Sequence, residues 1–244
     1  DPVTEWVLAP LADRYAGVKA GEIPPEGEGP VRAMPLVLRL ERRLPLRTAV
    51  LDAAAAAALA VCLDPRSAPG GEWHAPVAAW VGGRIRKIAR RARGAHWRAV
   101  QDLPGVTVRI DPDPDLAGEV SPAEVRALVP GPVNETPKVV SRLQISGTDL
   151  PPDRPGEPPP GSVLIALNPQ VAMTVGKAAA QVGHASMLWA AVRGAREVPR
   201  FAVRTVDPDR WRELCAAVDR DEAVAVRDAG FTEVAPGTIT CIAV

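Results

Sequence analysis

Apolar positions along the chain fall into two kinds of stretch, short runs of strand length and longer Ala-rich runs with helical spacing. From residue 161 onward they alternate regularly. Val163–Leu167 is a short apolar strand, and Thr174 to Val192 carries the 3.6-residue period of a long helix. Phe201–Val206 reads as a second strand. Pro208 to Val218 reads as a helix, with Asp207 placed to cap it and Pro208 at its first position. Ala223–Val226 and Thr238–Ile242 supply two more strands. An order of strand, helix, strand, helix, strand, strand implies a mixed sheet flanked by helices.

The front of the chain runs through the same order. Pro35–Leu40 is apolar like Val163–Leu167, and Ala49–Leu63 is Ala-rich like Thr174–Val192. By that parallel Val77–Trp80 is the second strand, Ile85–Val100 the second helix, Val106–Arg109 the third strand and Glu124–Val129 the fourth. Val106-Thr107-Val108-Arg109 aligns with Val224-Ala225-Val226-Arg227, and the pattern predicts a diverged internal duplication. The expected fold class is α/β: two small three-layer domains, each a mixed four-stranded sheet flanked by helices. A leader occupies residues 1–32, with a helix over Val3–Tyr15 interrupted by Pro10 and a flexible connector from Glu22 to Pro30. The two domains are residues 33–147 and 163–244. Between them, residues 148–162 contain Pro151, Pro152, Pro155, Pro158, Pro159 and Pro160, which favour an extended, semi-rigid linker.

Composition narrows the picture by exclusion. With 29 basic and 29 acidic residues the formal net charge is zero, so attraction to a nucleic acid must come from local clusters. Three widely spaced cysteines, Cys62, Cys215 and Cys241, do not suggest a disulfide framework or a structural zinc site. No apolar run reaches the ~20 residues needed to span a bilayer, and the first residues lack the basic start and apolar core of a signal peptide. The expectation is a cytoplasmic protein without membrane association, metal or cofactor. His74, His96 and His184 are not spaced as metal ligands, Gly176-Lys177 lacks the other residues of a P-loop, and no G-x-S-x-G elbow occurs.

Two segments carry candidate chemistry. In Gly176-Lys177-Ala178-Ala179-Ala180-Gln181-Val182-Gly183-His184, helical spacing puts Lys177, Gln181 and His184 on one face. A lysine in the first turn opposes the helix dipole, which suggests that its ammonium has a task beyond solvation. Arg227-Asp228-Ala229-Gly230-Phe231-Thr232-Glu233-Val234-Ala235-Pro236-Gly237-Thr238 follows the third strand of the back domain. Its glycines and Pro236 make it a turn-rich loop of the kind that holds functional groups at a strand end. A third cluster is the basic run Arg84–Arg93. Read as a helix, it aligns Arg86, Arg90 and Arg93, with Lys87 and Arg91 beside them, as candidate contacts to nucleic-acid phosphates.

Taken together, the first two segments resemble the type 2 peptidyl-tRNA hydrolase family. That family has an M-G-x-G-K-x-A-A-Q-x-x-H-A helix start and a D-A-G-x-T-x-x-x-P-G-[ST]-x-T stretch near its C-terminus. Met173 through Lys177, and Asp228 through Thr240, match in order and separation, with Thr174 in place of the first glycine of M-G-x-G-K. The resemblance implies hydrolysis of the ester between peptide and tRNA, with Lys177, Asp228 and Thr232 as catalytic residues. Gly176, Gln181, His184 and Gly230 carry over as supporting or substrate-binding positions. It also implies a peptidyl-tRNA substrate and a homodimer, or here a monomer acting as an intramolecular pseudo-dimer. The alternative is a member without turnover that uses the same fold to bind RNA or protein. In the front domain Val50, Ala54, Ala57 and Ile110 stand at the positions of Lys177, Gln181, His184 and Asp228, so that domain is expected to be catalytically empty.

Overall fold

The computed structural model describes residues 5–22, 27–228 and 237–244. A leading helix α1 (Ala9–Lys19) precedes the front half, which contains β1 (Arg32–Arg39), α2 (Arg47–Leu63), α3 (His74–Val81), β2 (Arg86–Ala92) and α4 (Gly94–Val100). It continues with β3 (Gly105–Ile110), β4 (Ala123–Leu128), the two-residue β5 (Gly131–Pro132) and α5 (Lys138–Ser141). The back half is β6 (Val163–Leu167), α6 (Val175–Arg193), β7 (Phe201–Thr205), α7 (Pro208–Asp219), β8 (Val224–Arg227) and β9 (Ile239–Ala243). The α/β class and the two mixed sheets follow the sequence pattern, with β5 added to the front sheet beside β1.

Both sheets have one topology. The front order is β2-β1-β4-β3 and the back order β7-β6-β9-β8. In each, the first strand runs parallel to the second and antiparallel to the fourth. Registers agree as well. Leu36 lies opposite Ala89 and Ala127, and Ile165 lies opposite Val203 and Ala243. Val106 then faces Ala127, as Val224 faces Ala243. This register puts Ile110 at the strand position of Asp228.

Three elements differ from the sequence expectation. Val77–Trp80 lies in helix α3, not in a strand, because Pro76 sits in a first helical turn, where its missing N–H leaves no bond unmade. The basic run is strand β2, not a helix, and pairs with β1 over seven residues from Ala33↔Arg86 to Arg39↔Ala92. Long-range pairing overrides the helical spacing of the charges. The counterpart of β7 is therefore β2, that of α7 is α4, and α3 is an insertion. Pro10 begins α1 rather than interrupting it.

Each sheet has helices on both faces. In the front half α4 and α5 cover the outer face, where Trp97, Val100, Val140 and Leu143 pack on Val37, Ala92 and Leu128. In the back half α7 does so through Leu214, Ala217 and Val218 on Ala166, Ala225 and Ile242. The inner helices α2 and α6 pack against each other, and each also touches the second strand of the opposite half. One apolar cluster runs through both inner faces, joining Leu36, Val50 and Leu59 to Ile165, Val182 and Met187. Small residues permit this close packing. A Cβ on Gly183 would stand 2.9 Å from Cδ of Lys87 and 3.3 Å from Cβ of Ala58.

The proline-rich segment is an ordered tie between the halves. Asp153 accepts hydrogen bonds from the backbone N–H and hydroxyl of Thr48 at the start of α2 (3.0 and 2.9 Å). Asp149 accepts from the Val175 N–H at the start of α6 (3.0 Å) and pairs with Arg47 at 2.6 Å. Two prolines between these aspartates hold the backbone extended, so one segment serves both helix N-termini.

Candidate functional site

The first turn of α6 is fixed by three acceptors. Thr174 caps it by accepting from the Lys177 N–H at 3.3 Å, Asp149 takes the Val175 N–H, and the Thr148 carbonyl takes the Gly176 N–H at 3.3 Å. Thr174 thus supplies a cap that glycine would lack. From this turn Lys177 extends to Asp228 at the end of β8, with Nζ 2.7 Å from Oδ1. Both side chains are nearly withdrawn from water, at 9% and 4% exposure. The carboxylate compensates the ammonium that the helix N-terminus disfavours.

Backbone geometry aims Asp228 at this contact. Its N–H donates to the Thr238 carbonyl (2.9 Å), and its carbonyl accepts from the Gly237 N–H (2.8 Å). Just before it, the β8–β9 register slips: Val226 faces Cys241 but Arg227 faces Ile239, so Thr240 is the extra residue of a bulge. The front sheet keeps its register through Ile110↔Ala123. The bulged Thr240 is fully buried and donates its hydroxyl to Oε1 of Gln181 at 2.5 Å. Gln181 is therefore a buried brace between α6 and β9. Sequence reasoning missed Thr240 as a site residue. Its place as the last threonine of the second motif was the available signal.

His184 lines the same helix face, one turn beyond Gln181. Its Nδ1 lies 2.8 Å from Nζ of Lys87, which comes from β2 of the front half. Burial, then the charges of Lys87 and Lys177, hold the imidazole well below its ordinary value. Burial also pushes the Lys87 ammonium down to about 7, opposed only by Cys62. Lys87 further donates to the Ile85 carbonyl (3.2 Å) and lies 5.0 Å from the Trp80 ring centroid.

These groups line one cleft of about 1380 Å³ where the two halves meet. Its walls are α6 from Thr174 to Leu188, β8 from Ala225 to Asp228, residues 83–89 of the front half, and α1. Arg14, Lys19, Arg84, Arg86 and Arg227 make the lining predominantly basic, against Asp219 and Asp228. Val18, Val31, Val133 and Ile145 form exposed apolar parts of the wall.

The structure thus gathers Gly176, Lys177, Gln181, His184 and Asp228. Thr232 and Gly230 lie outside the described residues. The basic run does not form the expected helical face. On strand β2, Arg86 and Arg90 alternate with Lys87 and Arg91. Arg90 is buried, donating to the Ser141 and Leu143 carbonyls at 3.2 and 3.1 Å, while Arg93 is exposed at the start of α4. Only Arg86 and Lys87 of that set line the cleft. Among the described residues no group of three or more His, Cys, Asp or Glu side chains is placed to hold a metal, and no helix is long and apolar enough to cross a membrane.

Comparison with protein-family models, curated proteins and solved structures gives no match for this chain.

Proposed function

We propose that the chain hydrolyses the ester bond between peptide and tRNA in peptidyl-tRNA. The observation that carries this reading is the buried Lys177–Asp228 pair, which joins the two sequence motifs across 51 residues at a basic cleft. Ester hydrolysis needs a base to position and deprotonate water, and a positive group where charge develops on the carbonyl oxygen. Asp228, fixed by its backbone bonds to residues 237 and 238, serves as the water-orienting carboxylate. Lys177 stabilises the oxyanion, and Thr232 is assigned to the same reaction by its place in the second motif. The basic lining favours the phosphates of the tRNA 3′ end. In the front half the equivalent positions are apolar, so that half stands in for a second subunit without a second site.

The test is release of the blocked amino acid from N-acetylaminoacyl-tRNA by Lys177→Ala, Asp228→Ala and Thr232→Ala. Each variant that retains the parent's circular dichroism is expected to be slower by about 10²–10⁴-fold, the usual worth of a positioned acid or base. Parent-like rates would refute the assignment.

A further inference from the structure

We propose that Lys87, supplied by the front half, is a positioning residue of the cleft: it donates to Nδ1 of His184, fixes the imidazole proton on Nε2, and so provides a donor for a phosphate oxygen of the substrate's 3′ end.

The pair is a cross-half contact. Lys87 lies on β2 and His184 on α6, their nitrogens 2.8 Å apart, and both line the cleft that holds Lys177 and Asp228. Facing Lys87 are Cys62 of α2, the Trp80 ring of α3 and His184 of α6; among these His184 offers the nitrogen acceptor. A neutral imidazole has one acceptor and one donor nitrogen, and the partner of one decides the state of the other. With Nδ1 engaged as acceptor, the proton resides on Nε2. Burial keeps the ring neutral, and below about pH 7, where Lys87 is charged, its ammonium can only donate, to His184 and to the Ile85 carbonyl.

Pseudo-symmetry shows that the contact belongs to one side only. The register that matches Ala89 with Val203 places Phe201 at the strand position of Lys87. Ala57 holds the helix position of His184. The polar pair therefore occurs only beside Lys177 and Asp228. Gly183 is the residue that lets it form, because any side chain there would strike the Lys87 methylenes.

The position of His184 sets its role. Seven residues along a helix is about 10 Å, so His184 lies two turns along the cleft wall from Lys177 and is placed to meet a neighbouring part of the bound molecule. The same wall also carries Arg84 and Arg86. A phosphate oxygen accepts from a neutral N–H and gains from both guanidinium groups. The function assigned to Lys87 is then binding rather than bond cleavage. The kinetic part of this inference rests on the proposed hydrolase reading, whereas the tautomer does not.

Two readouts on the full chain test it. Ring-nitrogen NMR of His184, assigned by the signal lost in His184→Gln, should show a neutral ring protonated on Nε2 at pH 6, where Lys87 is still charged. In Lys87→Met, an uncharged side chain of similar length, that tautomer preference should collapse. For N-acetylaminoacyl-tRNA hydrolysis, Lys87→Met should raise KM about tenfold, the loss of one hydrogen bond, with kcat within about twofold. An Nδ1–H tautomer in the parent, or an unchanged tautomer in Lys87→Met, would overturn the assignment. So would a fall in kcat at constant KM. If the parent shows no turnover, the hydrolase reading fails while the NMR still decides the Lys87–His184 contact.

Discussion

Burial acts on Lys87 and Asp52, both at the contact between the halves, with opposite signs. It lowers Lys87 to about 7 and raises the Asp52 carboxyl to about 6, despite a 2.7 Å bond from the Val203 N–H to Asp52 Oδ1. For Asp52 the folded value exceeds the ordinary 3.8, so the native state binds the proton more tightly than the unfolded chain. The stability from that proton is present below pH 3.8 and is lost as pH rises through about 6. Asn keeps the acceptor without the charge. Asp52→Asn should therefore gain on the parent by up to about 3 kcal/mol between pH 4 and pH 7, read as the difference in urea unfolding free energies. A difference independent of pH would contradict this. Such effects were not legible in the sequence, because Asp52 becomes buried by a strand some 150 residues away. Lys177 and Asp228 were legible, since each stands in a motif with its own local context. Lys87 was visible only as one charge in a basic run.

Among the elements, the back-half helices with local end signals were read correctly. Asp207 caps α7 by accepting from the Arg210 N–H at 2.8 Å, with Pro208 following it, and α6 ends on Gly194 in the left-handed conformation at φ 68°. Of the elements read incorrectly, β2 depends on tertiary pairing that spacing does not encode, whereas α3 and the start of α1 turn on prolines that sit in a first helical turn. The proline-rich segment was read as a spacer, and its proline content does make it extended. Its second task, capping, resides in Asp149 and Asp153, whose acceptors matter only because α2 and α6 start close to it. Asp153→Ala removes both bonds to Thr48 and should lower stability by about 1 kcal/mol, the typical worth of an N-cap. Asp149→Ala also breaks the Arg47 pair and should cost more. Denaturant unfolding measures both, and parent-like midpoints would show that the segment is a passive connection.

For the whole molecule, the arrangement is that of two matching sheets sharing one core. The repeat was legible in outline, although the second strand of the front half was placed on α3 instead of β2; the shared core was not, because the faces of α2 and α6 are too Ala-rich to reveal which partner they choose. Separated from the front half, residues 161–244 would expose the apolar face of α6, including Val182 and Met187, which are buried in the intact chain. That fragment should self-associate or fail to fold, as seen by sedimentation and circular dichroism. A monodisperse folded monomer would contradict the shared core. The same arrangement explains why one cleft is polar: its walls come from both halves, while Lys177 and Asp228 come from one. The most direct test of the central claim is hydrolysis of N-acetylaminoacyl-tRNA in ¹⁸O-labelled water by the full chain, with mass analysis of the products. Release well above the spontaneous rate is predicted, with one labelled oxygen in the freed carboxylate and an unlabelled tRNA 3′ end. Release no faster than the spontaneous reaction, or label on the tRNA, would contradict it.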